Sequence, residues 1–257
     1  TPQQYQLKYT FHFKTSTRRG VILNQDVNSA LIELVDEIVS YTGQSIRVNE
    51  KEFDTDFSNE ILARALDLQD KNDHFGAVKL FEGLLQIEPN NLTARRLIAH
   101  SHMELRQLEE AERHLSFGVN VVKPTHSTEL HKMHYLLSFI NYIRGNLDNA
   151  VAQIALADNL ATLNNDWLYR ALNAQLKAKL YIQYQDYELA HQSLNKALSY
   201  HGVIQCPIGT SDTLLQLSLL ANLQGKQIQS QDYFDRAKDI IAQRNLTTMQ
   251  LPLKDTS

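Results

Sequence analysis

A short pattern of small and apolar residues recurs five times in this chain of 257 residues. In its first copy, NDHFGA, a small anchor residue closes a polar turn. An apolar residue follows four positions later, and an apolar or small one follows seven positions later. Another small residue precedes each anchor by twelve positions. The anchors, each with its preceding small residue, are Ala77 with Ala65, Ala111 with Ala99, Ala150 with Ser138, Ala190 with Ala178, and Ser230 with Ser218.

The spacing of these small residues predicts pairs of antiparallel helices, because small residues on facing helices let two backbones approach closely. With Pro89 at the close of the first copy, the layout resembles the tetratricopeptide repeat. The resemblance implies a mainly α fold, a tetratricopeptide-like α-α superhelix of about five helix pairs over residues 56–250, with a tail at 251–257. Successive anchors are 34, 39, 40 and 40 residues apart, so we expect longer helices or loops after the second to fourth repeats.

The N-terminal part predicts a different structure. Residues 5–13 alternate between apolar and polar side chains, which predicts a half-buried strand, and residues 20–23 predict a second strand of a β-hairpin. A helix is expected to begin at Asp26 and to end at Thr42. We therefore expect a small α+β subdomain over residues 1–55. Because a hairpin and one helix cannot bury a core alone, the subdomain is expected to lean either on the repeats or on a sheet that continues upstream of Thr1, in which case it is truncated at its N-terminus.

Composition restricts the classes of function. The net charge is -4, and acidic and basic residues are interspersed rather than gathered in a basic stripe, so direct binding to nucleic acid is not expected. The single cysteine excludes an internal disulfide and does not indicate a compartment. No apolar run reaches the length of a membrane span, and the sequence starts at Thr1 with neither an initiator Met nor a signal peptide, so we expect a segment of a longer protein.

Sequence motifs of enzymes are absent. The chain has no Walker-type glycine loop, no G-x-S-x-G, no H-E-x-x-H and no C-x-x-C pair. The thiol of Cys206 would need an activating base that the sequence does not place, so an inert loop residue is favoured. His131 and His134 could share a helix face as a metal pair, but solvated residues at a helix start are favoured. We therefore expect no enzymatic activity, no cofactor and no metal.

The repeat geometry predicts a binding surface on the first helix of each unit, which lines the concave face in tetratricopeptide proteins. Tyr135, Phe139 and Tyr142 form an aromatic stripe that could seat a peptide or helix, and the alternative is that the stripe is core. The basic carboxylate clamp of chaperone-binding members does not stand at these positions. The candidate partner-binding residues are Arg96, His100 and Met103 in the second repeat, Lys132, Tyr135, Phe139 and Tyr142 in the third, and Gln175 and Lys179 in the fourth.

A wider resemblance covers nearly the whole chain. The segments YQLKYTFHF, RRGVIL, NSALIELVDEIV and DFSNEILARAL, followed by the repeats, resemble the carboxy-terminal part of CadC-like, ToxR-type transcriptional regulators. These bacterial proteins join a DNA-binding winged helix, one membrane span and a periplasmic sensory region with a TolB-like subdomain. The resemblance implies a non-enzymatic sensory and protein-interaction module in the periplasm, anchored to the inner membrane through its parent. Its partner would be a protein, a peptide or a second copy in a homodimer. A cytoplasmic tetratricopeptide scaffold that recruits a peptide is the alternative.

Overall fold

The computed structural model describes residues 55–121 and 128–243, which form ten helices and no strand. The predicted hairpin and helix of the N-terminal subdomain, and the predicted tail, lie outside the described residues. None of these ten helices combines the length and the apolar character that a membrane crossing requires. The helices are α1 (Thr55–Asp70), α2 (His74–Ile87), α3 (Leu92–Glu104), α4 (Leu108–Val121), α5 (Leu130–Ile143), α6 (Leu147–Leu163), α7 (Trp167–Gln183), α8 (Tyr187–Val203), α9 (Pro207–Leu223) and α10 (Gln227–Gln243).

The described helices pack as five antiparallel pairs. Each odd-numbered helix, the first of its pair, packs against the second helix that follows it, and each second helix packs against the first helix of the next pair. From α3 to α9, the first helices of neighbouring pairs also contact one another. The first helices therefore form a continuous row. These contacts confirm the helical part of the predicted architecture.

The predicted small residues lie at the centre of each pair, and all ten of them are buried. In the third pair, Ser138 Oγ donates a hydrogen bond of 2.7 Å to the carbonyl oxygen of Ala150. In the fifth pair, Ser218 Oγ donates one of 2.8 Å to the carbonyl oxygen of Ser230. A short side chain reaches a facing backbone only where two helices touch. The predicted register is therefore confirmed by contact between the predicted positions.

Each pair turns at the same distance from its anchor. The residue five positions before the anchor has a positive φ of 60° to 76°, and these residues are Asn72, Arg106, Gly145, Gln185 and Gly225. The next N–H donates to the carbonyl five residues earlier at 2.8 to 2.9 Å, as in a Schellman C-cap. In two pairs, the side chain of Asp73 or Asp186 then accepts from an N–H of the second helix. The same turn thus forms from five different local sequences.

The longer repeat intervals have two causes. From α6 to α10 every helix has 17 residues, and three-residue turns join them, with positive φ also at Asn165 and Gln205 between pairs. Two such helices with two such turns account for the 40-residue intervals. Helices α4 and α5 have 14 residues each, so the extra residues of the 39-residue interval lie between Val121 and Leu130. The expectation of longer helices or loops is confirmed.

Glycine makes room where the fourth pair meets the fifth. At Gly209, in the first turn of α9, a Cβ atom would lie 2.2 to 2.6 Å from three ring atoms of His201 at the end of α8. His201 is 1% exposed, so its rigid ring has little space to move aside. A Cβ at Gly83 of α2, by contrast, would have no other atom within 4 Å. These two helical glycines form a matched pair for testing the contact.

Gly209→Ala is expected to lower the free energy of unfolding by about 1–3 kcal/mol, because the added methyl group overpacks the contact with His201. Gly83→Ala is expected to raise it by about 0.5–1 kcal/mol, because alanine has the higher helix propensity and nothing opposes the methyl group. Urea denaturation followed by circular dichroism measures both changes. Effects of equal sign would contradict the assigned contact.

Two buried histidines stack inside the second pair. The rings of His102 on α3 and His114 on α4 lie 5.7 Å apart, with 17° between their planes. Neither ring nitrogen of His114 has a hydrogen-bond partner among the described residues. Burial lowers the pKa of His114 to about 4, and the cations Arg113 and Arg95 and the stacked His102 act in the same direction. Glu110 opposes them.

This burial predicts a pH-dependent stability. The pKa of His114 is about 6.5 in an unfolded chain, so between pH 6.5 and 4 the unfolded state binds more protons. The stability that depends on the neutral ring is complete above pH 6.5 and is lost toward pH 4, at up to about 1.4 kcal/mol per pH unit. His114→Leu is expected to remove this part of the slope in unfolding free energies measured from pH 7 to 4. His131 and His201, whose pKa values burial also lowers, continue to titrate in the variant. An unchanged slope would contradict the assignment.

Candidate interaction surface

The first helices direct equivalent side chains to the same side of the array. Counted from the small residue of each first helix, these side chains lie three positions before it and one and four positions after it. We call them the first-helix face. They reach one another between pairs, since Lys179 Nζ lies 6.0 Å from the ring centre of Phe139. The face comprises Leu62, Leu66, Gln69, Arg96, His100, Met103, Tyr135, Phe139, Tyr142, Gln175, Lys179, Ile182, Leu215, Leu219 and Asn222.

Two predicted cations of this region share one carboxylate. Arg96 Nε donates to Glu129 Oε2 at 2.5 Å, and Lys132 Nζ donates to Glu129 Oε1 at 2.8 Å. Burial opposes the ionisation of Glu129, but these two cations hold the pKa of its carboxyl below the usual value. The three side chains tie the second pair to the third. Arg96 and Lys132 therefore lie together, and Glu129 compensates part of their positive charge.

The other two predicted residues of the second pair offer one polar and one apolar group. His100 is exposed, and its ring lies 6.4 Å from that of His74. Met103 is half-buried and packs against the core between the second and third pairs. Both residues occupy register positions of the first-helix face.

The aromatic stripe runs along α5 at the edge of the core. The ring of Tyr135 meets that of Tyr169 edge-on at 5.7 Å, and the rings of Phe139 and Tyr142 lie 6.4 Å apart. All three stripe residues are half-buried and pack against a cluster that includes Ile154. Burial also raises the pKa of the Tyr135 hydroxyl. The stripe thus contributes to the core with one side and to the first-helix face with the other.

Gln175 is not the exposed residue that the repeat pattern predicted. Its side chain is buried, and its Nε2 donates to Asp212 Oδ2 at 2.9 Å and to Thr213 Oγ1 at 2.8 Å. Gln216 Nε2 donates to the same carboxylate oxygen at 2.8 Å. The expected exposure was wrong because the partners of Gln175 belong to the next first helix. This part of the face is a polar contact between two pairs.

Lys179 differs from the other predicted cations, because it forms no ion pair with any residue that the structure describes. Exposed leucines that the sequence analysis missed occupy the equivalent position of other repeats, one residue after the small residue. Leu66 is 37% exposed, and Leu219 is 57% exposed. Applying the same register to the first and fifth repeats would have found both. The face therefore combines apolar side chains with an unpaired cation.

The candidate nucleophile and metal ligands of the sequence analysis make other contacts in the structure. Cys206 caps the N-terminus of α9 through its Sγ. His131 is buried rather than solvated, and its Nε2 lies 2.9 Å from Asp166 Oδ2. His134 Nδ1 lies 2.7 Å from Gln153 Oε1. The two histidines thus have different partners, and no group of three potential metal ligands occurs in residues 55–121 or 128–243.

Comparison with known proteins identifies the kind of array. The tetratricopeptide repeat family matches residues 60–116, and no curated protein matches the chain. BtubC from P. vanneervenii is similar in structure, with 17% identity, a TM-score of 0.65, and coverage of 90% of this chain and 94% of that chain. The apo form of RapI has 16% identity and a TM-score of 0.59, with 89% and 87% covered.

A third similar structure comes from Pyrococcus horikoshii. It is a signal transduction ATPase with numerous domains and a tetratricopeptide repeat sensor, with 15% identity and a TM-score of 0.60. The alignment covers 88% of this chain and 35% of that chain. Together these likenesses show that the chain has a tetratricopeptide-type helical repeat fold, which is typical of protein-interaction scaffolds.

Proposed function

We propose that this chain is a non-enzymatic protein-interaction module that binds a short segment of a partner protein on its first-helix face. The observation that carries the proposal is Lys179, which has no ion-pair partner among the described residues and lies 6.0 Å from the half-buried ring of Phe139, on a face that also carries the exposed Leu66 and Leu219. Side chains that served only as core would be covered, and exposed apolar surface beside an unpaired charge is typical of binding sites.

The composition of the face sets the chemistry of the partner. Leu66, Leu219 and the outer edge of Phe139 favour apolar side chains of a helical or extended segment. Lys179 favours a carboxylate near Phe139. Because its ammonium group lies near the ring of Phe139, an ion pair there would be less screened than one in open solvent. We therefore expect a segment that combines apolar residues with an acidic one.

Peptides selected from a random library against the intact chain are expected to be rich in apolar and acidic residues. Lys179→Glu is expected to weaken their binding at least about ten-fold, because repulsion replaces attraction of the carboxylate. Lys196→Glu is the matched control, since Lys196 is exposed on α8, away from the face. Fluorescence anisotropy of labelled peptides measures both. Selection of no peptide, or equal loss in both variants, would contradict the proposal.

We further propose that the parent protein is a one-component transcriptional regulator of the CadC-like, ToxR-type family, and that this chain is its periplasmic sensory part. The resemblance of the N-terminal segments and the repeats to that family supports this. A tetratricopeptide repeat sensor is also named in the similar signal transduction ATPase. Partner binding would shift the packing between helix pairs or between copies and so bias dimerisation of the parent. A cytoplasmic scaffold with the same binding face is the alternative.

The regulator proposal predicts a basic winged-helix region and one apolar run of about 20 residues upstream of Thr1 in the parent gene. Sequencing that reading frame is the first measurement. In the intact parent, Lys179→Glu is expected to abolish the signal dependence of a promoter reporter while DNA binding is kept. A reading frame without a membrane span, or with a kinase-type glycine loop, would favour the cytoplasmic scaffold.

A further inference from the structure

The second helices direct another set of side chains away from the first helices. Counted from the anchor, they lie two, five, six and nine positions later, and we call them the second-helix face. In α2, α4, α8 and α10 this set contains one to four charged side chains. In α6 it contains none, and its four residues are Ala152, Ala155, Leu156 and Asn159.

The uncharged face of α6 is not covered by another described helix. Its four residues are exposed, and Leu156 is 46% exposed. Val151 and Leu163, beside them on the same helix, are 43% and 77% exposed. The opposite side of α6, which includes Ile154 and Ala157, is buried in the core. None of the described helices therefore shields this apolar surface in the middle of the array from water, which favours its burial in a complex.

The charged residues of α6 lie at the margins of this face. The helix has only two of them, Asp148 in its first turn and Asp158. Asp148 Oδ1 accepts a hydrogen bond from the Tyr184 hydroxyl, and Asp158 forms an ion pair with Lys177. Both partners belong to the fourth pair. The stretch of the face between Ala152 and Asn159 is thus free of charge.

We propose that this face of α6 is the contact surface of a homodimer, with the two-fold axis close to Ala155. In an isologous interface, a residue near the axis meets its own copy, so a charge there would meet a like charge. The second-helix faces of the other four described pairs each carry at least one charged side chain, whereas that of α6 carries none. Ala152 and Ala155 present only methyl groups, so two helices can approach to about 8 Å. Leu156 would then be buried against the second copy.

A second copy fits this face better than a different protein does. Interfaces between different proteins commonly gain specificity from opposite charges, which the centre of this face does not offer. A second copy needs no such pairing, because symmetry brings the same apolar surface to both sides. The dimer uses the side of the array opposite to the first-helix face, so the inference does not depend on the proposed function.

Sedimentation equilibrium of the intact chain at micromolar concentrations tests the proposal, and a monomer–dimer equilibrium is expected. Ala155→Arg and Ala155→Glu are each expected to raise the dimer Kd at least about ten-fold, because like charges meet at the axis. An equimolar mixture of the two variants is expected to recover dimers, since the introduced guanidinium and carboxylate groups then face each other. Asn195→Arg, at the equivalent exposed position of α8, is expected to leave the Kd unchanged.

A chain that stays monomeric, a mixture that recovers no dimers, or an equal effect of Asn195→Arg would each overturn the proposal. Circular dichroism of every variant checks folding, and Ala155 is a safe position because it is exposed on a helix and both replacements are good helix formers. Lys179→Glu acts on the opposite side and is expected to leave the dimer Kd unchanged. Failure of the dimer and failure of partner binding are therefore separate results.

Discussion

The contact between two small residues at the centre of each helix pair is the constraint on which the rest of the array depends. Ser138 and Ala150 touch so closely that the hydroxyl of one bonds to the backbone of the other. Three other pairs place alanine at both positions, so small size rather than the hydrogen bond is what the five pairs share. The hydrogen bond of the hydroxyl adds about 0.5–1.5 kcal/mol. Because this contact fixes the rotation of both helices about their axes, it also decides which residues form the first-helix and second-helix faces.

A feature of this structure could be predicted from the sequence when its cause lies within one repeat, and could not when its cause lies in another repeat. The register was predictable, because small residues in contact recur at fixed positions. The positions of the polar turns were predictable as well, but their left-handed backbone was not, since Arg106 and Gln185 adopt the same positive φ as two glycines. Packing of the flanking helices overrides a cost of about 1 kcal/mol or more. The burial of Gln175 depends on Asp212, 37 residues later, and the charge balance of the face depends on Glu129, which lies outside the repeated positions.

The third pair carries the centre of both proposed surfaces. Helix α5 contributes Phe139 to the first-helix face, and α6 contributes Ala155 to the second-helix face. Between them lie the contact of Ser138 with Ala150 and the packing of Ile154 against the aromatic rings. If partner binding moved α6 and thereby changed the dimer Kd by some factor, thermodynamic linkage requires that dimerisation change the partner affinity by the same factor. A close-packed centre leaves little room for such sliding within the pair.

The joints between pairs combine a shared apolar core with polar contacts. Long polar side chains make the polar contacts, as Arg96 does with Glu129 and Gln175 with Asp212. Such side chains have several rotamers and can exchange a protein partner for water or for a ligand at little net cost. Small apolar contacts inside a pair have no comparable alternative. We therefore expect a partner on the first-helix face to act on the polar contacts between pairs rather than on the small contacts inside a pair. Because the homodimer contact lies on a single helix, on the side opposite to the first-helix face, one array can hold a second copy and a partner at the same time.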